Sequence, residues 1–130
     1  MSEKDNVVSE RAPEPVGAFP HAKRVGNLLF LSGIGPRSRG TKEIPVGIEA
    51  QTLAVFRNVR TVLEDAGSDW SRIVDVQVFL TNMKDDFAPF NSLYSEYFTD
   101  NRPTRTTVEV GALPTPISVE LKVIATIDGA

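Results

Sequence analysis

The sequence predicts an α/β (α+β) fold in which a mixed β-sheet carries two helices on one face. Three observations predict it. Residues 73–80 and 118–127 alternate apolar and polar side chains, the period of half-buried strands. Residues 48–66 and 86–98 repeat apolar residues at helical spacing. Clusters of Gly and Pro separate these stretches.

The elements follow in order. Residues 1–14 are polar and charged and lack the apolar stretch of a signal peptide. They read as a flexible tail, or as a strap over a neighbouring surface, with a single domain over residues 15–130. Residues 22–25 and the apolar run 27–32 suggest a hairpin, because Gly26-Asn27 is a turn signal. Residues 33–47 contain Gly33, Gly35, Gly40 and Gly47 with Pro36 and Pro45, and so read as a loop. Arg37, Arg39 and Lys42 make that loop locally basic.

In residues 48–66, Leu53, Phe56, Val59 and Leu63 form one helical face, and Gly67 stands where a glycine cap belongs. In residues 73–80, Val74, Val76, Val78 and Leu80 share one strand face, opposite Asp75, Gln77 and Phe79. Residues 81–85 read as a connection. Asp86 can cap a second helix ending near Phe98, with Phe87, Phe90, Tyr94 and Phe98 inward. Pro89 then falls in the first turn, where backbone N–H groups have no helical partner. Residues 106–110 read as a short strand and 118–127 as a long one, with Val119, Leu121, Val123, Ala125 and Ile127 on one face. The opposite face mixes Ser118, Glu120 and Lys122 with Gln77 and Phe79 of the neighbouring strand. Such a face suits contact with another subunit.

Bulk properties narrow the function. The chain has 130 residues, a formal charge of -3 and no cysteine. Thiolate catalysis, disulfides and cysteine zinc sites are therefore excluded. The acidic balance does not favour nucleic acid or anionic lipid, and no apolar run approaches the ~20 residues of a membrane span. HExxH, P-loop and GxGxxG motifs are missing, and one histidine cannot supply the usual multi-histidine metal sets. A cytoplasmic protein without metal or organic cofactor is the resulting expectation.

Three residues stand out chemically. Arg105, where a loop becomes a strand, can hold a carboxylate bidentately, or can be an ordinary surface arginine. Glu120, between Val119 and Leu121, can orient a water or move a proton, or can form an ion pair with Lys122. His21 has the right chemistry for proton transfer, but Phe19-Pro20-His21-Ala22 equally suits a turn.

Several segments together resemble the Rid/YjgF family. They are Gly17-Ala18-Phe19-Pro20-His21, Gly26-Asn27-Leu28-Leu29-Phe30-Leu31-Ser32-Gly33, Val74-Asp75-Val76-Gln77-Val78-Phe79-Leu80, Asn91-Ser92-Leu93-Tyr94, Arg102-Pro103-Thr104-Arg105-Thr106-Thr107-Val108-Glu109 and Val119-Glu120-Leu121. The resemblance implies a chorismate-mutase-like fold and a homotrimer with a barrel-like centre, with trimers able to pair into hexamers. It implies imine or enamine hydrolysis in clefts between subunits. Arg105 would bind the substrate carboxylate and Glu120 would orient the water. Phe19, His21, Ser32, Gly33, Asn91, Thr107 and Pro114 would line the site. Phe19 stands where many members carry tyrosine, so the wall there has no hydroxyl. The loop Gly35-Pro36-Arg37-Ser38-Arg39-Gly40 and the segment Val110-Gly111-Ala112-Leu113-Pro114 look like the 2-aminomuconate deaminase branch. A dicarboxylate substrate needs a second cation, which Arg37, Arg39 or Lys42 would supply.

Overall fold

The computed structural model describes residues 5–127. The elements run β1 (Asn6–Val7), β2 (Ala22–Val25), β3 (Leu28–Leu31), α1 (Ile48–Asp65), a 3-10 turn (Trp70–Arg72), β4 (Ile73–Leu80), α2 (Met83–Tyr97), β5 (Thr104–Glu109) and β6 (Val119–Thr126). One six-stranded sheet has the order β1-β2-β3-β6-β4-β5. β4 and β5 pair in parallel through α2, and the remaining pairs are antiparallel.

Local chemistry accounts for the elements. Gly26 takes a φ of 61° in the β2–β3 turn. A positive φ at the first central position alone is the type II′ pattern that suits a two-residue hairpin. Gly67, with φ 85°, closes α1. Its N–H donates to Glu64 O at 3.1 Å and the Ser68 N–H to Leu63 O at 2.8 Å, the two bonds of a Schellman cap. Both helices cover the sheet face built by Val76, Val78, Leu80, Val119, Leu121, Val123 and Ala125, all fully buried in the core cluster. Burying each such side chain contributes about 1.5–3 kcal/mol, so the core needs no covalent staple.

The structure corrects four sequence expectations. α2 begins four residues before Phe87, because Asn82 caps it by accepting the Asp85 N–H at 3.1 Å. Pro89 is consequently the seventh helical residue, inside the helix and not in its first turn. A second acceptor secures this earlier start: Glu109 at the end of β5 takes the Met83 N–H at 2.8 Å. In β4, an irregularity between Ile73 and Asp75 turns Val74 outward and buries Ile73 in its place. On α1, Leu53 is exposed while Thr52, Val55 and Val62 are buried.

The fourth concerns the tail. Residues 1–4 lie outside the described residues. Residues 5–14, expected outside the domain, pack onto it as a strap. Asn6 and Val7 pair with β2, and Ser9 and Ala12 are buried. The Ser9 hydroxyl and the Arg11 guanidinium both bind Asp65 on α1, at 2.7 and 2.6 Å.

Candidate active site

A bulge builds the first half of the site. β3 and β6 pair from Leu28↔Thr126 to Phe30↔Ile124, and the ladder resumes at Ile34↔Leu121. Three residues, Leu31, Ser32 and Gly33, thus face two on β6, which leaves one extra residue to re-aim the chain. Lys122 closes the gap by donating from Nζ to Leu31 O at 2.5 Å. Lys122 is therefore not the ion-pair partner of Glu120. The Ser32 hydroxyl donates to Pro20 O at 2.7 Å.

Glu120 lies directly over Gly33. A Cβ on Gly33 would sit 2.9 Å from the Glu120 Cδ and still nearer to Oε2, so a side chain at this position would push the carboxylate out of its place. Glu120 is half-buried, and none of the described residues gives its carboxylate a hydrogen bond or ion pair. Burial raises its pKa above the ordinary 4.5. Around it is a cleft of about 80 Å³ whose lining includes Phe19, His21, Ser32, Gly33, Arg37, Pro114 and Glu120. The strap contributes Pro13 and Glu14 to one wall, continued by Pro15 and Val16.

The second half of the site lies on the other side of the sheet. Arg105 pairs with Val76, whose side chain is buried under the helices, whereas Glu120 pairs with Phe79 on the opposite face. β4 also stands between their strands. Within one protomer the two residues are thus separated by the sheet. Arg105 turns towards α2 and donates from Nη1 to Asn91 Oδ1 at 2.8 Å. Its guanidinium carbon is 4.6 Å from the centre of the Tyr94 ring and 5.8 Å from that of Phe87. A cleft of about 320 Å³ holds Asn91, Tyr94, Arg102 and Arg105. Thr107 faces the same side as Arg105, paired with Val78, and its hydroxyl is buried without a partner among the described residues. Two clefts therefore divide the expected residues between them, with Arg39 and Thr107 lining neither.

His21 and the loop arginines prove to be tied to the strap. The Ser9 N–H donates to His21 Nδ1 at 3.0 Å, and Pro13 O lies 2.8 Å from Nε2. The first bond requires a bare Nδ1, so the ring proton sits on Nε2 and donates to Pro13. Arg39 donates from Nη1 to Ser9 O at 3.0 Å and to Ala12 O at 2.9 Å. Arg37 donates from Nη2 to Glu14 O at 2.5 Å. Glu14 is held below the usual carboxylate range, first by its own backbone N–H and then by that of Gly40. Asn58 on α1 fixes the loop from beneath, donating to Gly35 O at 3.0 Å and Arg37 O at 2.8 Å.

One expectation follows from the His21 contacts. His21→Ala leaves the Ser9 N–H and the Pro13 carbonyl without their partner, which costs about 2 kcal/mol. A fall in Tm of roughly 5–10 °C is expected. Amide exchange should speed up first in residues 9–14; unchanged protection there would show that the histidine does not anchor the strap.

Sequence reasoning missed the strap wall and the ring contacts to Arg105. Phe87 and Tyr94 were legible only as an apolar helix face. That they stand at i-4 and i+3 from Asn91 was the available signal.

Together these features define a small α+β domain with two separate polar half-sites, one acidic and one cationic. Comparison with known proteins gives the family. The family profile described as "Endoribonuclease L-PSP" matches residues 9–127. A RutC family protein of Pyrococcus abyssi is 40% identical over 123 residues, covering 94% of this chain and 96% of that one. The chloroplastic Reactive Intermediate Deaminase A of Arabidopsis thaliana is 34% identical over 125 residues, covering 95% of this chain and 66% of that protein. The crystal structure of yeast Mmf1 superposes with a TM-score of 0.89 at 33% identity, covering 95% and 98% of the two chains. The chain belongs to the Rid/YjgF family.

Proposed function

We propose that this chain is a cofactor-free deaminase that hydrolyses reactive imines and enamines of 2-amino acids. The observation that carries the reading is Glu120, a half-buried, unpaired carboxyl seated over Gly33 in a concave cleft. Similarity to a protein named for reactive-intermediate deamination supports it.

The two half-sites complement each other between copies. A head-to-tail contact sets the Glu120 cleft of one protomer against the Arg105 cleft of the next, and closes into a ring, here a homotrimer. The open sheet face offers apolar surface for that contact, with Val108 39% exposed beside the partly exposed Phe79 and Ile124.

In the closed site, Arg105 holds the carboxylate next to the C=N carbon. Glu120 orients a water and accepts its proton as oxygen bonds to that carbon. The carbinolamine then collapses: the nitrogen takes a proton, the C–N bond breaks, and a 2-oxo acid and ammonia leave. An imine carbon is already electrophilic, so position and charge suffice. The test is an ammonia-release assay with 2-aminoacrylate generated in situ. No release with any enamine offered would leave a non-catalytic binding protein as the correct reading. An endoribonuclease role fits poorly with a net charge of -3.

A second reading narrows the substrate to a dicarboxylate. Arg37 lies in the Glu120 cleft, where it can meet a distal carboxylate. 2-Aminomuconate is such a substrate, giving 4-oxalocrotonate or 2-hydroxymuconate in aromatic catabolism. Arg37→Ala is then expected to raise KM for 2-aminomuconate about tenfold or more and to leave 2-aminoacrylate nearly unchanged. Arg39→Ala should act on strap stability instead. Equal turnover of both substrates by Arg37→Ala would remove the dicarboxylate reading and leave the general one standing.

A further inference from the structure

Tyr94 has no part in the hydrolysis just described, yet its surroundings are unusual. Its ring packs on Phe98 at 4.3 Å, Phe90 at 5.8 Å and Phe56 at 6.4 Å between centroids. Three aromatic neighbours, from α1, α2 and the C-terminal cap of α2, thus hold the ring. The Arg105 guanidinium meets the same ring at 4.6 Å. Asn91, one turn earlier on α2, holds Nη1 at 2.8 Å. The helix therefore grips the cation at two points, one directional and one broad.

We propose that Tyr94 is a positioning residue for carboxylate capture, its ring serving as the rigid platform that presents the Arg105 guanidinium to the neighbouring copy's cleft. The inference rests on the deaminase reading above. It goes beyond that reading in assigning the aim of the arginine to an aromatic ring and not to a charge.

The physical case is one of preorganisation. A free arginine side chain loses about 2 kcal/mol of rotamer freedom when fixed. A guanidinium already held on an aromatic face has surrendered much of that freedom before substrate arrives. A carboxylate partner would fix the arginine too, but would neutralise it and compete with the substrate. A ring attracts the cation and leaves its charge available. No acidic side chain of the described residues pairs with Arg105. Phe90 lies on α2 and Phe98 is its C-terminal cap, so the platform is continuous with the helix that carries Asn91.

The hydroxyl is not the operative group. It is buried and has no partner among the described residues, and burial pushes the phenol up to about 12, so it stays protonated and neutral. Only the ring reaches Arg105 among the contacts described. The proposal therefore separates two substitutions that an ordinary core role would not separate in kinetics.

The experiment measures kcat and KM for 2-aminoacrylate with Tyr94→Phe, Tyr94→Leu, Tyr94→Met and Arg105→Ala, with thermal unfolding of each. Tyr94→Phe should keep KM within about twofold of wild type. Tyr94→Leu and Tyr94→Met should raise KM about tenfold while kcat falls less than about threefold. Methionine fills the space without a π face, so it carries the test should the leucine variant unfold. A wild-type KM in either folded aliphatic variant overturns the proposal. So does Tyr94→Phe if it is as impaired as the aliphatic variants, because that would assign the role to the hydroxyl. Full activity in Arg105→Ala would instead bring down the deaminase reading itself.

Discussion

Arg105→Ala is expected to lower kcat/KM for imine hydrolysis by about a thousandfold. On the deaminase reading the guanidinium is the carboxylate ligand of its half of the site, and it is not committed elsewhere in full. One Nη1 donor serves Asn91. The remaining donors face a half-open cleft, where charge-assisted pairs are stronger than in bulk water. Truncating one partner of such a pair typically costs 2–5 kcal/mol, or about 30- to 5,000-fold. Orientation adds to the loss, since on the deaminase reading the carboxylate grip also places the C=N carbon against the water. The effect should therefore appear in kcat as well as KM. Arg105→Lys should recover only part of it, because an ammonium cannot hold a carboxylate at two points. Retention of more than about a tenth of wild-type kcat/KM by Arg105→Ala would show that the carboxylate is bound elsewhere.

The sequence made the outline of this arrangement legible where residue type and period coincide. β6 is the clearest case. Its alternation of Val119, Leu121, Val123 and Ala125 with Glu120, Lys122 and Ile124 states both its conformation and which side meets the helices. Glu120 was conspicuous for the same reason: a carboxylate in that run must lie on the outer face.

Other features left no such trace. The strap is held by backbone carbonyls of Ser9, Ala12 and Glu14, which any residue could supply. Arg37 and Arg39 consequently looked alike in sequence, although both grip the strap and only Arg37 also lines the cleft. Pro89 pointed to a later helix start because its local penalty is visible, whereas the compensating cap from Glu109, 26 residues away, is not. The irregularity at Ile73/Asp75 flips the parity of a single position, which alternation cannot foresee. The separation of Arg105 from Glu120 is a matter of register. It follows from the pairing of Val76 with Arg105 and of Phe79 with Glu120, and those pairings exist only once the strands are assembled.

Glu120→Gln is the complementary substitution, and here the expected loss lies in the chemical step. Glutamine keeps the shape over Gly33 but cannot take the proton from water or return one to nitrogen. General acid–base groups of this kind contribute about 10²–10⁴-fold. kcat should fall by that order with KM changed little. The pH profile sharpens the test. Burial favours the neutral carboxyl, so the folded-state pKa lies above 4.5. Activity that needs the ionised form should then decline on the acid side at a higher pH than an ordinary glutamate would give. Stability runs in the opposite sense. A carboxyl whose pKa is raised on folding favours the folded state below the unfolded pKa, and that contribution is lost as pH rises through the folded value. Glu120→Gln should therefore gain stability relative to wild type near neutral pH, and the gain should vanish in acid. A variant that is inactive yet more stable at neutral pH is the signature of a group placed for chemistry at the expense of folding. Wild-type kcat in Glu120→Gln, with the acid limb of the profile unmoved, would remove this carboxyl from the reaction.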